Sequence, residues 1–223
     1  TLTATNGTLT LLNGAGVTLA TNNTASVKLT GTLSAINSLL ATANAVTFKP
    51  TADFRGPATL TMLSSDGFAS DSDTATINVA PVNDAPTGQN ATYTLLEDAT
   101  RSFTAADFGF ADAPGESNTL SAVIITSLPA AGTLTLSGTP VTLNQSIPAA
   151  SLANLVYAPA TNGNGNAYAT IGFKVQDDGG TVNGGQDTSV NANTVTFNVT
   201  PVNDAPTGAD KTITLLEDGS RTL

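Results

Sequence analysis

The chain has 223 residues, with 7 Lys plus Arg against 17 Asp plus Glu, a formal charge of −10, and no His, Cys or Trp. Without His or Cys it has no imidazole base, no Ser-His-Asp or Cys-His nucleophile, no zinc site of the usual N/S type and no disulfide framework. Seven cations make no basic patch for a nucleic-acid partner, the 40% hydrophobic content argues against disorder, and no apolar run approaches the ~18 residues of a membrane span.

In chain order, the first distinctive segment is TGTLSAINSLLATAN at 30–44. Leu33, Ile36, Leu39 and Leu40 fall at helical spacing behind Thr32, which predicts a short capped helix lying over one end of a sandwich. Short alternating runs follow at Thr74 to Val79, Tyr93 to Leu95, Thr133 to Leu136, Ala169 to Val175 and Thr194 to Val199. Period-two alternation rich in Thr, Val, Ile and Phe predicts half-buried antiparallel strands. PAASLANL at 148–155 is a shorter counterpart of the first helix. Asn, Gly and Asp clusters such as TNGNGN at 161–166 and DDGG at 177–180 supply the turns. The fold class expected is all-β, one sandwich per repeat with a short helix in the first.

The repeat is visible by self-comparison. PVNDAPTG at 81–88 returns at 201–208, a period of 120; TLLED at 94–98 returns at 214–218, and Arg101 returns as Arg221. Upstream, GTLTL at 7–11 matches GTLTL at 132–136, and VTFKP at 46–50 matches LVYAP at 155–159. The expected organisation is the C-terminal part of one repeat over 1–80, a complete repeat over 81–200 and the start of a third over 201–223. The stretch equivalent to 104–125 is missing from both flanks, so the chain reads as a window on a longer tandem array.

The acids are unevenly placed. Residues 1–52 and 117–176 contain none, six lie between Asp66 and Asp98, and seven lie between Asp177 and Asp218. Each cluster spans a repeat end, the PVNDAP link and the next first strand, and only Arg101, Lys211 and Arg221 offer positive charge nearby. A hard dication is the natural counter-ion, because calcium takes about six to eight oxygens from carboxylates, Asn side chains and backbone carbonyls. The expected ligands are Asp66, Asn83, Asp84, Glu97 and Asp98 at the first junction, and Asp177, Asp178, Asn203, Asp204, Glu217 and Asp218 at the second. The plainer reading is that these are solvated turn residues.

PVNDAP closing a repeat, preceded by SSDG (64–67) or QDDGG (176–180) and followed by an acidic first strand, resembles the cadherin pattern. The stretch from DFGFAD (107–112) through ITSLPAAGTLTLSGTPV to FKVQDDGGTVNGG resembles the cadherin-like repeats of giant bacterial surface proteins, the RTX-type adhesins and biofilm-associated proteins. The resemblance implies tandem Ig/cadherin-like sandwiches at an extracellular bacterial surface, in a structural or adhesive role with interdomain Ca2+. It implies Glu97 and Glu217 as first-strand ligands, Asp66 and Asp178 as turn ligands, and Asn83, Asp84, Asn203 and Asp204 as link ligands. The mid-domain Asp-Arg-Glu and Asp-x-Asp motifs of cadherins are not evident, which points to one or two ions per joint.

The partners expected are neighbouring repeats of the same chain and other copies in a fibre. A filament subunit whose 210–223 tail completes an open sandwich of the next molecule is one alternative. A glycan-binding module is another, with only Phe54, Phe68 and Tyr168 as stacking platforms outside the strands. An enzyme is disfavoured, since the acidic pairs sit in repeated turns. Lys28, Lys49 and Lys174 alternate with apolar neighbours and are expected to point outward, which disfavours isopeptide cross-links.

Overall fold

The computed structural model describes residues 1–222, which divide into two compact units. The first comprises 1–84 with the loops 114–117 and 179–186; the second comprises 85–113, 118–178 and the chain from 187 onward.

The first unit contains β1 (Leu2–Ala4), β2 (Gly7–Leu11), β3 (Val17–Ala20), β4 (Ser26–Gly31), α1 (Leu33–Leu40), β5 (Val46–Pro50), β6 (Gly56–Ser65) and β7 (Ser70–Val79). One sheet has the order β3-β4-β1-β6-β7 and the other pairs β2 with β5. The second unit contains β8 (Ala91–Leu96), β9 (Arg101–Ser102), β10 (Leu120–Ser127), β11 (Thr133–Leu136), β12 (Thr139–Pro140), β13 (Ser146–Pro148), β14 (Leu155–Ala158), β15 (Gly165–Asp177) and β16 (Asn193–Thr200). Its sheets have the orders β13-β10-β15-β16-β8 and β12-β11-β14-β9. The chain is therefore all-β, two sandwich-like units with little helix.

The helix predicted behind Thr32 is present, and the Thr32 hydroxyl accepts the Ala35 N–H at 3.2 Å. That bond satisfies one of the donors a helix start leaves unpaired. The counterpart at 148–155 is a short 3-10 helix, Ala149–Asn154, and not an α-helix.

Both repeat anchors found in the sequence turn out to be paired strands in the same register. Leu9 lies opposite Phe48 in the first unit, and Leu134 lies opposite Tyr157 in the second. The glycine of each GTLTL is required by close approach. A Cβ on Gly7 would lie 2.5 Å from the Lys49 carbonyl oxygen, and one on Gly132 would lie 2.4 Å from that of Ala158. Gly132 also has φ +79°, in the left-handed region that L side chains avoid.

Alternation decides what each core receives. In β16, Val195, Phe197 and Val199 are buried while Thr194 and Thr200 face water. They join Phe103, Phe108, Tyr157, Phe173 and the aliphatic residues of β10, β11 and β14 in one cluster. Burying such side chains stabilises by about 1.5–3 kcal/mol each. The first unit's buried cluster is much smaller: Leu2, Ala4, Leu9, Leu11 and Val27.

Of the three lysines expected to point outward, Lys28 and Lys49 are exposed and Lys174 is half-buried.

Candidate functional site: the acidic residues at the two ends of the second unit

β16 runs parallel to β8 and antiparallel to β15, which gives the second unit a leading end, where β8 starts, and a trailing end, where it stops. Val195 pairs with Ala91 at the leading end and Thr200 with Leu96 at the trailing end.

At the trailing end Glu97 is only 4% exposed. One carboxylate oxygen accepts the Val202 N–H at 2.7 Å and the other accepts the Asn164 side-chain amide at 2.8 Å. The Glu97 N–H in turn donates to the Thr200 carbonyl at 3.0 Å. These two acceptor bonds, Val202 first, hold the carboxyl below the usual glutamate range. A first-strand glutamate thus grips the backbone of the link that leaves its own repeat.

At the leading end Asp177 is buried, and its N–H donates to the Asp187 carbonyl at 2.8 Å. Asp178 accepts the Thr119 N–H and hydroxyl, both at 2.7 Å, and these bonds hold its carboxyl below the usual aspartate pKa range. Asp112 accepts the Asn118 N–H at 2.6 Å, while its other oxygen is buried without a hydrogen-bond partner.

In the first unit, Asp66 closes its own turn by accepting the N–H groups of Phe68 and Ala69, each at 2.9 Å. Ala69, then Phe68, hold its carboxyl low. The link is pinned separately. Asn83 and Gln186 exchange two bonds at 2.8 Å, and the Asp84 N–H donates to Glu116 at 3.1 Å.

This placement corrects the expected grouping of ligands. Asp66 does not join Asn83 and Asp84, because β7 intervenes, ten residues or roughly 33 Å at ~3.3 Å per residue. Asp177 and Asp178 do not join Asn203 and Asp204, because β16 intervenes and puts them at the opposite end. Glu97 does not stay with the first link, because β8 carries it to the second, at Val202. Asp98, Asp84, Asn203, Asp204, Glu217 and Asp218 are exposed, and the Asn203 side-chain amide donates to the neighbouring Asp204 carbonyl at 3.3 Å. Among the described residues no three acidic side chains gather into a metal-holding group.

The donor types fit a hard dication, since every candidate ligand is oxygen. No assembled shell is present among the described residues: Asp66 and Asp178 are taken up by N–H and hydroxyl donors, while Glu97 accepts two bonds and keeps lone pairs beyond them. The residues that sequence reasoning missed are Asn164, Thr119, Asp112 and Glu116. Strand direction would have paired Asn164 with Glu97, since both lie at strand ends meeting at the trailing end.

Of the aromatic side chains considered as sugar platforms, Phe68 is fully exposed, Phe54 is half-buried, and Tyr168 packs against the core.

The committed carboxylates make an acid-stability prediction. Asp66, Glu97 and Asp178 all have folded pKa values below their unfolded values. Each contributes stability that is present above the unfolded value of about 4 and is lost as pH falls through the folded value. The melting temperature is expected to hold from neutral pH to about 5 and to fall below about 4. A rise on acidification would mean that repulsion among the acids outweighs these bonds.

No family model and no curated protein matches the chain. Among solved structures it is similar to the human mucin-like protocadherin EC1-2, at 16% identity and TM-score 0.38, covering 89% of this chain and 86% of that one. It is also similar to an endo-fucoidan hydrolase of glycoside hydrolase family 107, at 19% identity and TM-score 0.32, covering 88% of this chain and 24% of that one. The chain thus spans about a quarter of the hydrolase. Neither likeness carries an argument about function, and the all-β fold rests on the strand pairing described above. No helix among the described residues is long and apolar enough to cross a membrane.

Proposed function

We propose that this chain is a structural spacer segment of a large extracellular adhesin or surface fibre, built from tandem β-sandwich repeats with stiffened links, and not an enzyme. The observation that carries the reading is the grip of buried Glu97 on the Val202 N–H, together with the repetition of PVNDAP at a period of 120. A carboxylate that holds the outgoing link by its backbone restricts where the following repeat points. Asn83 restricts the first link by a different route, through Gln186.

The proposal includes calcium as a further stiffener. It would be held by Glu97, Asp98, Asn203 and Asp204 at the second link and by Asn83 and Asp84 at the first, and it would supply charge neutralisation between carboxylates. The glutamate keeps free lone pairs beyond its two hydrogen bonds, and the exposed Asp84, Asp98 and Asp204 can re-aim at little cost. Calorimetric titration of calcium into the chain tests this. Binding heat with a raised melting temperature is expected, weakened at least about tenfold by Glu97→Gln, since a charged ligand is lost. No heat and an unchanged melting temperature would remove calcium from the account.

A further inference from the structure

Asn-Gly pairs lie in the chain at 6–7, 13–14, 162–163, 164–165 and 183–184. Such a pair is chemically weak, because a glycine has no side chain to keep its backbone nitrogen from the preceding asparagine's side-chain carbonyl. The first four are held in place. Gly7 lies in β2 opposite Pro50, with the Lys49 carbonyl oxygen 2.5 Å from where a Cβ would be. Gly14 packs on Leu39 of α1. The Gly163 N–H donates to the Ala160 carbonyl at 2.9 Å. Gly165 lies in β15 opposite Val199, and the Asn164 side-chain amide before it donates to Glu97 at 2.8 Å.

The pair at 183–184 is differently placed. Asn183 is exposed and sits with φ +58° inside the short 3-10 turn Val182–Gly184. Gly184 has φ +87°, and a Cβ on it would meet nothing within 4 Å. Gly179, Gly180, Gly184 and Gly185 make half of the loop 179–186, so its backbone rotates freely once that turn opens. We infer that Asn183 is a site of spontaneous deamidation, and that its conversion releases the first link from the loop that holds it.

The reaction needs only water. The Gly184 backbone nitrogen, giving up its proton, attacks Cγ of Asn183; the N–Cγ bond forms, the Cγ–Nδ2 bond breaks, and ammonia leaves with that proton. Water then opens the cyclic imide. Cleavage of the new N–Cγ bond gives aspartate, and cleavage of the bond from the same nitrogen to the Asn183 backbone carbonyl carbon gives isoaspartate. Either product adds a carboxylate beside Asp177, Asp178 and Asp187, in a stretch with no Lys or Arg between residues 175 and 210. Isoaspartate also lengthens the backbone by a methylene. The neighbouring Gly185 has no slack to absorb it, being buried, with the Asn83 Cβ 3.0 Å and the Asn83 N and O 3.1 Å from where its own Cβ would be. The two 2.8 Å bonds between Gln186 and Asn83 are therefore the contacts that give way. This chemistry depends on the loop alone and not on the chain's being a spacer.

The test is peptide mapping by mass spectrometry of the full chain aged in mildly alkaline buffer, with enzymatic methylation to count isoaspartate and hydrogen exchange to follow the Gln186 amide. Asn183 is expected to convert about tenfold or more faster than Asn162, whose glycine N–H must first leave Ala160. Gly184→Ala is expected to slow conversion by about tenfold, and Asn183→Gln, which closes only a larger ring, to stop it over the same period. In the aged chain the Gln186 amide is expected to exchange about tenfold faster than in the aged Asn183→Gln chain. Conversion at Asn183 no faster than at Asn162 overturns the site, and conversion undiminished by Gly184→Ala overturns the route. Complete conversion that leaves the Gln186 amide as slow as before overturns the release.

Discussion

Phe197→Ala is expected to destabilise the second unit by about 3–5 kcal/mol, the usual cost of emptying a fully buried aromatic site. Phe197 projects from β16 in one sheet onto Tyr157 from β14 in the other. Their rings stack with centroids 3.9 Å apart, and Phe103 meets Phe197 edge-on at 6.2 Å. The substitution therefore removes the contact that joins the two sheets, and the surrounding β-strands are too constrained by their ladders to close the gap. Tyr157 is doubly tied, since its hydroxyl donates to the Ala131 carbonyl at 3.0 Å, and burial, with Tyr168 nearby, pushes its pKa up to about 12. Urea unfolding followed by tyrosine fluorescence reads the second unit, because Tyr93, Tyr157 and Tyr168 all lie there. A loss below about 1 kcal/mol would show that the stack is not what joins the sheets.

Asp107→Ala carries the second large effect. Asp107 accepts the Tyr93 hydroxyl at 2.6 Å, the Thr104 N–H at 2.6 Å, the Thr104 hydroxyl at 3.0 Å and the Arg101 guanidinium. Burial opposes its ionisation, but the bonds from Tyr93 and Thr104 and the charge of Arg101 outweigh it, and the carboxyl stays below the usual aspartate range. The Arg101 guanidinium carbon lies over the Tyr93 ring, 3.4 Å from its centroid, and its Nε is buried without an acceptor. Removing Asp107 leaves that cation without the one carboxylate it meets among the described residues, and the Tyr93 hydroxyl without its acceptor. A cost of about 3 kcal/mol is expected, at the low end for a broken buried pair because Arg101 is 29% exposed. Combining Asp107→Ala with Arg101→Met should recover part of the loss, since the stranded charge is then gone. If the double substitution is no better than the single one, the ion pair is not the source of the effect.

These two clusters show what was and was not legible in the residues alone. Strand alternation marked Ala169 to Val175 and Thr194 to Val199 as half-buried strands, Thr32 announced its helix, and the recurrence of GTLTL, and of VTFKP as LVYAP, marked equivalent segments of the two units. Such features are local, or repeat at a fixed distance, so a single sequence carries them. The grouping of acids failed for a geometric reason. Residues close in sequence across a link were placed together, whereas each strand of β-structure carries the chain about 3.3 Å per residue to the other end of the sandwich. Glu97 therefore belongs with Val202, and Asp178 with Thr119. The Arg101, Asp107 and Tyr93 arrangement was invisible because it joins three segments through side-chain geometry, with no spacing rule to signal it.

The spacer account is tested most directly by small-angle X-ray scattering of the chain at low concentration, in calcium and in excess chelator. A well-defined, extended maximum dimension is expected in calcium, and a shorter average with a broadened distance distribution in chelator, as the acidic links loosen. Superimposable profiles in the two conditions would contradict calcium-stiffened links.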